Sequence, residues 1–148
     1  MNQAPARIID VNLNRLTEAL KVLEDVVRFA TEKRLLLRRI RALRQEVNRR
    51  TRPLRRGVIA SRQSERDPGR GDRFDRTRRK SLEDVLMANF KRAEEAARVL
   101  EELFKMSAAG GRRKAAGRMR NWPAWFKEVR FRLYDLEKVA VAEEEEVR

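Results

Sequence analysis

Asn12-Leu-Asn-Arg15-Leu-Thr-Glu18-Ala-Leu-Lys-Val22-Leu-Glu-Asp25 returns further along the chain as Asn89-Phe-Lys-Arg92-Ala-Glu-Glu95-Ala-Ala-Arg-Val99-Leu-Glu-Glu102, a shift of 89 − 12 = 77 positions. Both copies obey N-x-x-R-x-x-E-A-x-[KR]-V-L-E-[DE], which is more than shared helicity requires. A repeat of this kind implies a fold of two related halves. It keeps Asn, Arg and Glu where a helix built only for packing would keep apolar side chains.

On a helical wheel of about 100° per residue, Ile9, Leu16, Leu20, Leu23 and Val27 share a face with Ile8, Ala19, Val22 and Val26. Asn12 falls inside this arc, Arg15 within its side and Glu18 on its edge. The second copy sets Asn89, Arg92 and Glu95 among Phe90, Ala93, Ala97, Leu100 and Phe104. An unpartnered polar group inside a bundle costs roughly 1–3 kcal/mol, and a charge more. Two inward trios therefore need a reason. One is structural: a buried Asn sets register, and Arg15–Glu18 and Arg92–Glu95 are i,i+3 pairs. The other is functional: both trios line one polar cavity between helices, as ligand sites in bundles do. The wheel leaves both open.

The rest of the chain reads as helix. The first runs from about Arg7 to Thr31. The second follows from Lys33 to Arg50, carrying Leu36, Ile40, Leu43 and Val47, with Pro53 as its stop. Residues 51–80 read as an irregular connector holding Pro53, Gly57, Pro68, Gly69 and Gly71. Ser81 is the expected N-cap of a third helix reaching Met106, with Glu83 and Asp84 in its first turn. Gly110-Gly111 breaks the chain before a last helix, interrupted around Asn121-Trp-Pro123 and continuing through Val141, ahead of an acidic tail at 142–148. Leu43-Arg44 and Val47 in the second helix match Val129-Arg130 and Leu133 in the last, 86 positions on (130 − 44 = 86). Nothing alternates with a period of two. The expected fold is all-α: one domain, a four-helix bundle of two repeated hairpins (7–50 and 81–141) with a long basic connector.

Composition narrows the chemistry. The 148 residues contain no cysteine and no histidine, and the formal charge is +14. Thiolate chemistry, disulfides and histidine-based catalytic triads are excluded. No apolar run approaches a membrane span and no signal peptide leads the chain, so the expected location is cytoplasmic. Residues 49–80 hold thirteen Lys/Arg against four Asp/Glu, nine of the fourteen net charges, which implies an anionic partner. No G-x-x-x-x-G-K-[ST] is present, and Gly69-Arg70-Gly71 is too short for a phosphate fingerprint. Carboxylates, asparagines and arginines remain. That set suits phosphoryl transfer, which asks mainly for positioning, Mg²⁺ and cationic clamps. Glu18, Glu95 and Asp67 are candidate oxygen ligands for Mg²⁺. Arg15, Arg92, Arg62 and Lys91 are candidate phosphate clamps, joined by Arg44 and Arg130, and the Asn12 and Asn89 trios are the candidate catalytic groups.

The stretch Arg7-Ile-Ile-Asp10-Val-Asn12-Leu-Asn14-Arg15 through Val22-Leu-Glu24-Asp25, with Arg28-Phe29, resembles the small hydroxymethylpyrimidine phosphate kinases of thiamin biosynthesis. That family is found alone or fused ahead of thiamin phosphate synthase. The resemblance continues through Ala88-Asn89-Phe90-Lys91-Arg92 and Val129-Arg130 to Lys138, nearly the whole chain. It implies ATP- and Mg²⁺-dependent phosphorylation of the pyrimidine monophosphate to its diphosphate, with the synthase as a candidate partner. The connector departs most: the family's S-R-D string reads Ser61-Arg62-Gln63 here, and Asp67-Pro68-Gly69 replaces an aspartate-valine-glycine turn. A connector between the halves could act as a lid over the phosphates.

Two other classes compete. A pI near 11.3 and the arginine-rich connector also suit a basic helical nucleic-acid-binding protein. The acidic members of each trio, and the lack of a recognition helix or aromatic platform, speak against it. A scaffold or regulatory subunit would use Trp122, Trp125 and Phe126 as an exposed interface, where core packing is the plainer reading. A homodimer is compatible with the sequence but demanded by nothing in it.

Overall fold

The computed structural model describes residues 3–72, 77–106 and 121–142. Four long helices account for most of them: α1 (Ala4–Ala30), α2 (Arg34–Val58), α3 (Leu82–Leu103) and α4 (Trp122–Val141). No strand occurs among the described residues. Each helix buries the stripe its periodicity marks out. Leu13, Leu16, Leu20 and Leu23 meet Ile40, Leu43 and Val47 from α2, Phe90 and Leu100 from α3, and Phe126, Val129 and Leu133 from α4. Every one of these is fully buried, and each large side chain so placed contributes roughly 1.5–3 kcal/mol of burial.

Helix directions follow from the cross-links. Asp10, early in α1, meets Arg62, beyond the end of α2, while Glu24, late in α1, meets Arg41 and Arg44 in the first half of α2. The pair is antiparallel. Lys33, just before α2, donates from Nζ to the carbonyls of Val139, Ala140 and Ala142 at the end of α4. Glu46 reaches back to Arg132 and Trp125. In turn Phe104 stacks on Phe126 and Arg130 pairs with Glu101, so α3 and α4 are antiparallel. α1 and α3 therefore also run antiparallel, and among the described residues they form the most extensive helix contact. The two hairpins are related by a pseudo-twofold axis, and the end of α2 and the start of α3 lie at opposite ends of the bundle.

Several boundaries differ from the sequence expectation. α2 does not stop at Arg50: it continues through Pro53 to Val58. Buried Thr51, then Leu54 and Val58 against the core, extend the stripe of Leu36, Ile40, Leu43 and Val47 for two more turns. That burial offsets the donor lost at the proline, whose ring sits on the solvent side. The connector thus begins at residue 59, with two short 3-10 turns, Ile59–Ser61 and Ser64–Arg66. Ser81 caps α3 as expected, its Oγ accepting from the Asp84 N–H at 3.1 Å. At Asn121-Trp-Pro123 a helix starts, with Asn121 as the N-cap of α4 and Pro123 in its first turn; the stretch before it, on which the expected interruption depends, lies outside the described residues. Trp122 and Phe126 are buried in a ring cluster with Phe104, and Trp125 is half-buried beside them. They are core, not an exposed interface. The Gly110-Gly111 break and residues 143–148 of the acidic tail lie outside the described residues.

Candidate functional site

The repeated motif meets itself across the pseudo-axis. Asn12, Arg15 and Glu18 from α1 and Arg92, Glu95 and Val99 from α3 line a groove of about 480 Å³, floored at Ala96. The structure corrects one expectation. Arg15, Glu18, Arg92 and Glu95 are exposed in this open groove rather than turned into the bundle interior. Asn12 alone is buried, and its Nδ2 donates to the Ile8 carbonyl one turn back at 2.9 Å. Asn89 repeats that bond to Val85 at 2.8 Å, half-buried and beyond the groove's lining. The amides are thus satisfied within their own helices, while the arginines and glutamates form an alternating charged groove.

A second cavity, of about 420 Å³, lies between the start of α1 and the connector. Ala4, Ile8 and Val11 form its apolar wall, Asn14, Gln63, Ser64 and Asp67 its polar rim, and Arg7, Arg15 and Arg62 its cationic side. Arg15 lines both cavities. Arg62 is fixed by a fork to Asp10, with Nε to Oδ2 at 2.8 Å and Nη2 to Oδ1 at 2.9 Å. Asp10 is only 4% exposed. The fork, reinforced by the negative field of Asp10 and more weakly of Glu18, makes the guanidinium hold its proton even more firmly than usual. Asp67 turns one oxygen onto the Gly69 N–H at 2.9 Å, closing the connector's turn. It lies in this cavity, apart from Glu18 and Glu95.

The remaining candidate clamps lie elsewhere. Arg44 Nε sits 3.0 Å from Glu24, and Arg130 grips Glu101 through Nε and Nη2 at 3.2 and 2.7 Å. Glu24 and Glu101 are buried repeat mates, so each hairpin is tied by a matching ion pair, with Arg44 half-buried and Arg130 buried. Lys91 lies 3.2 Å from Glu94 and 3.6 Å from Glu137, at the α3–α4 seam. Burial first, and then the Glu137 carboxyl beside it, push the Glu94 carboxyl up to about 7. Neither Lys91, Arg44 nor Arg130 lines the two cavities.

Sequence reasoning did not single out Asp10, Glu24, Glu101 or Glu94. Glu24 and Glu101 carried a signal, since both stand in the repeat on the apolar arc. Asp10 stood about 60° beyond Leu13 on the wheel, at the border of the arc.

A profile of the ThiD2 family matches residues 7–139. The chain belongs to the ThiD2 family. Among curated proteins this family member is 37% identical over 146 residues to a thiamine-phosphate synthase of Thermosynechococcus vestitus, covering 93% of this chain and 37% of that one. A thiamine-phosphate synthase of Gloeobacter violaceus is 37% identical over 140 residues, with the same coverage. One from a Nostoc species is 39% identical over 108 residues, covering 72% of this chain and 30% of its own. The ThiD2 chain spans little more than a third of the length of the first two relatives. No solved structure matches it. No helix among the described residues is long and apolar enough to cross a membrane.

Proposed function

We propose that the chain is an ATP-dependent kinase of thiamin biosynthesis, converting 4-amino-5-hydroxymethyl-2-methylpyrimidine phosphate to its diphosphate. The observation that carries the reading is Arg15, one cation shared by two adjacent charged cavities. A reaction between two phosphates needs such a point, where both ligands meet one guanidinium. Membership of a family whose relatives are thiamine-phosphate synthases supports the substrate class.

The chemistry asks little of the protein beyond charge and geometry. An oxygen of the acceptor's phosphate attacks the γ-phosphorus of ATP. The bond from that phosphorus to the β–γ bridging oxygen breaks, and ADP leaves with the electron pair. No proton moves, so a chain without histidine loses nothing. Arg15 and Arg92 would neutralise the approaching phosphates and stabilise the charge spread over the transferring group. Among the described residues no group of three or more acidic side chains is poised to hold a metal. Glu18 and Glu95 in the groove still suit Mg²⁺, which is commonly held by one or two carboxylates together with nucleotide phosphates and water. Bound there, the ion would screen the phosphate charges. The connector, held by Asp10 and Arg62, would cover the acceptor side against water.

The test is ADP release from Mg·ATP in the presence of the pyrimidine phosphate, with the unphosphorylated pyrimidine as control. Turnover only with the phosphorylated compound is expected; a folded protein that turns over neither would sink the reading. One observation favours a second reading. α2 carries ten arginines against one glutamate, and Arg34, Arg38, Arg39, Arg49, Arg52 and Arg56 are exposed, as a nucleic-acid-binding helix would have them. Binding to duplex or single-stranded DNA that collapses steeply with salt would support it.

A further inference from the structure

The repeat duplicates the groove but not the cavity beside the connector. Seventy-seven positions beyond Arg7, Asp10 and Val11 stand Asp84, Met87 and Ala88. Asp84 there has another task, accepting from the Lys80 N–H at 2.9 Å at the start of α3. At these positions the second half keeps neither Arg7 nor Asp10, and of the branched apolar pair it keeps only Val85, the mate of Ile8. A pseudo-symmetric groove suits a symmetric task, two phosphates brought together between matched arginines. A cavity whose lining differs from its repeat mates at Arg7, Asp10 and Val11 suits the ligand part that occurs once.

Its lining says what that part is. Ile8 and Val11, branched apolar side chains, are 39% and 36% exposed where they line this cavity. With Ala4 they form the apolar wall of the cavity. Asp67, with one oxygen committed to Gly69, and the amides of Gln63 and Asn14 offer acceptors for ring amino hydrogens. Arg62, with Nη1 outside its fork to Asp10, and Arg15 supply positive charge toward the groove. Resting on the kinase reading above, we infer that the cavity between α1 and the connector is the acceptor subsite. It takes a small amine-bearing heteroaromatic monophosphate, ring against Ile8 and Val11 and phosphate toward Arg15. The α1–α3 groove takes the phosphates of the nucleotide.

The assignment is tested by crossed variants, each checked for folding by circular dichroism. Val11→Gln should raise KM for the pyrimidine phosphate about tenfold, the loss of one buried branched side chain's contact, and leave KM for ATP within about twofold. Val99→Gln, in the groove, should do the reverse. Calorimetric titration of the pyrimidine phosphate into nucleotide-free protein should show the same weakening for Val11→Gln and none for Val99→Gln. If wild-type protein turns over but Val11→Gln changes the ATP parameters, or changes nothing, the subsite assignment is overturned while the kinase reading stands. If wild-type protein neither binds nor phosphorylates the pyrimidine phosphate, the kinase reading itself falls and the assignment with it.

Discussion

Arg62 closes a fork onto Asp10 across 52 positions of sequence, and this contact fastens the connector to the first turns of α1. Asp10 is buried on a helix that otherwise turns leucine inward at this level, so its charge is tolerable only with the arginine in place. Asp10→Asn is expected to keep the helical signal while loosening the connector. KM for the acceptor should rise about tenfold or more, and protease cleavage in the 59–72 segment should quicken. Unchanged kinetics and cleavage would mean the fork is decorative.

Arg15→Ala and Arg92→Ala remove charges from exposed positions lining the groove. Stability should move by no more than about 0.5 kcal/mol, as for ordinary surface substitutions. Turnover should fall by about a hundredfold or more if each guanidinium stabilises the transferring phosphoryl group. Melting of either variant at room temperature would assign the arginines to the scaffold instead.

Glu101→Ala strands Arg130 in the α3–α4 seam, where its other partners are the Tyr134 hydroxyl and ring faces. Breaking a buried pair from one side costs about 3–5 kcal/mol. Denaturant unfolding should show a loss of this size. Turnover per folded molecule should survive, because neither residue lines the groove or the cavity beside the connector. A selective loss of activity without loss of stability would restore Arg130 to the phosphate-binding set.

Glu94 makes stability depend on pH near neutrality. Its carboxyl titrates at about 7 in the folded chain against 4.5 as the ordinary value. The folded state therefore holds the proton more tightly than the unfolded state between these values. Stability falls as pH rises through that window and levels off above it. Glu94→Gln should flatten the fall: melting temperatures of variant and wild type should converge near pH 5, and the variant should be the more stable near pH 8. A wild-type melting temperature flat from about pH 5 to 8 would contradict this.

The bundle was legible because its signal is local. Leucines at helical spacing declare a buried stripe, Ser81 declares a helix start, and a motif written twice declares two halves. Pro53 misled because a local rule, the proline stop, was outweighed by Thr51, Leu54 and Val58 packing against distant helices. The groove was half legible. Repetition marked Arg15, Glu18, Arg92 and Glu95, yet their exposure depends on how closely α1 and α3 approach, which no wheel for a single helix can tell. The Asp10–Arg62 fork was not legible at all, since it joins a helix to an irregular segment that has no periodicity to read. Arg44 and Arg130 were recurrent as well, but for another reason: repetition preserves a hairpin's internal ties as faithfully as its ligand contacts.

The antiparallel meeting of the two motif copies has an ancestral consequence. A hairpin of about half this length, pairing with a second copy of itself, would already have built the groove, each copy lending one Arg and one Glu. Such a homodimer could never have furnished only one side with a pocket, because any substitution would appear in both. In a single polypeptide the halves can differ, and they do: Arg7, Asp10 and Val11 stand in one where Asp84, Met87 and Ala88 stand in the other. On the kinase reading, only a chain whose halves differ in sequence gives its two ligands different surroundings.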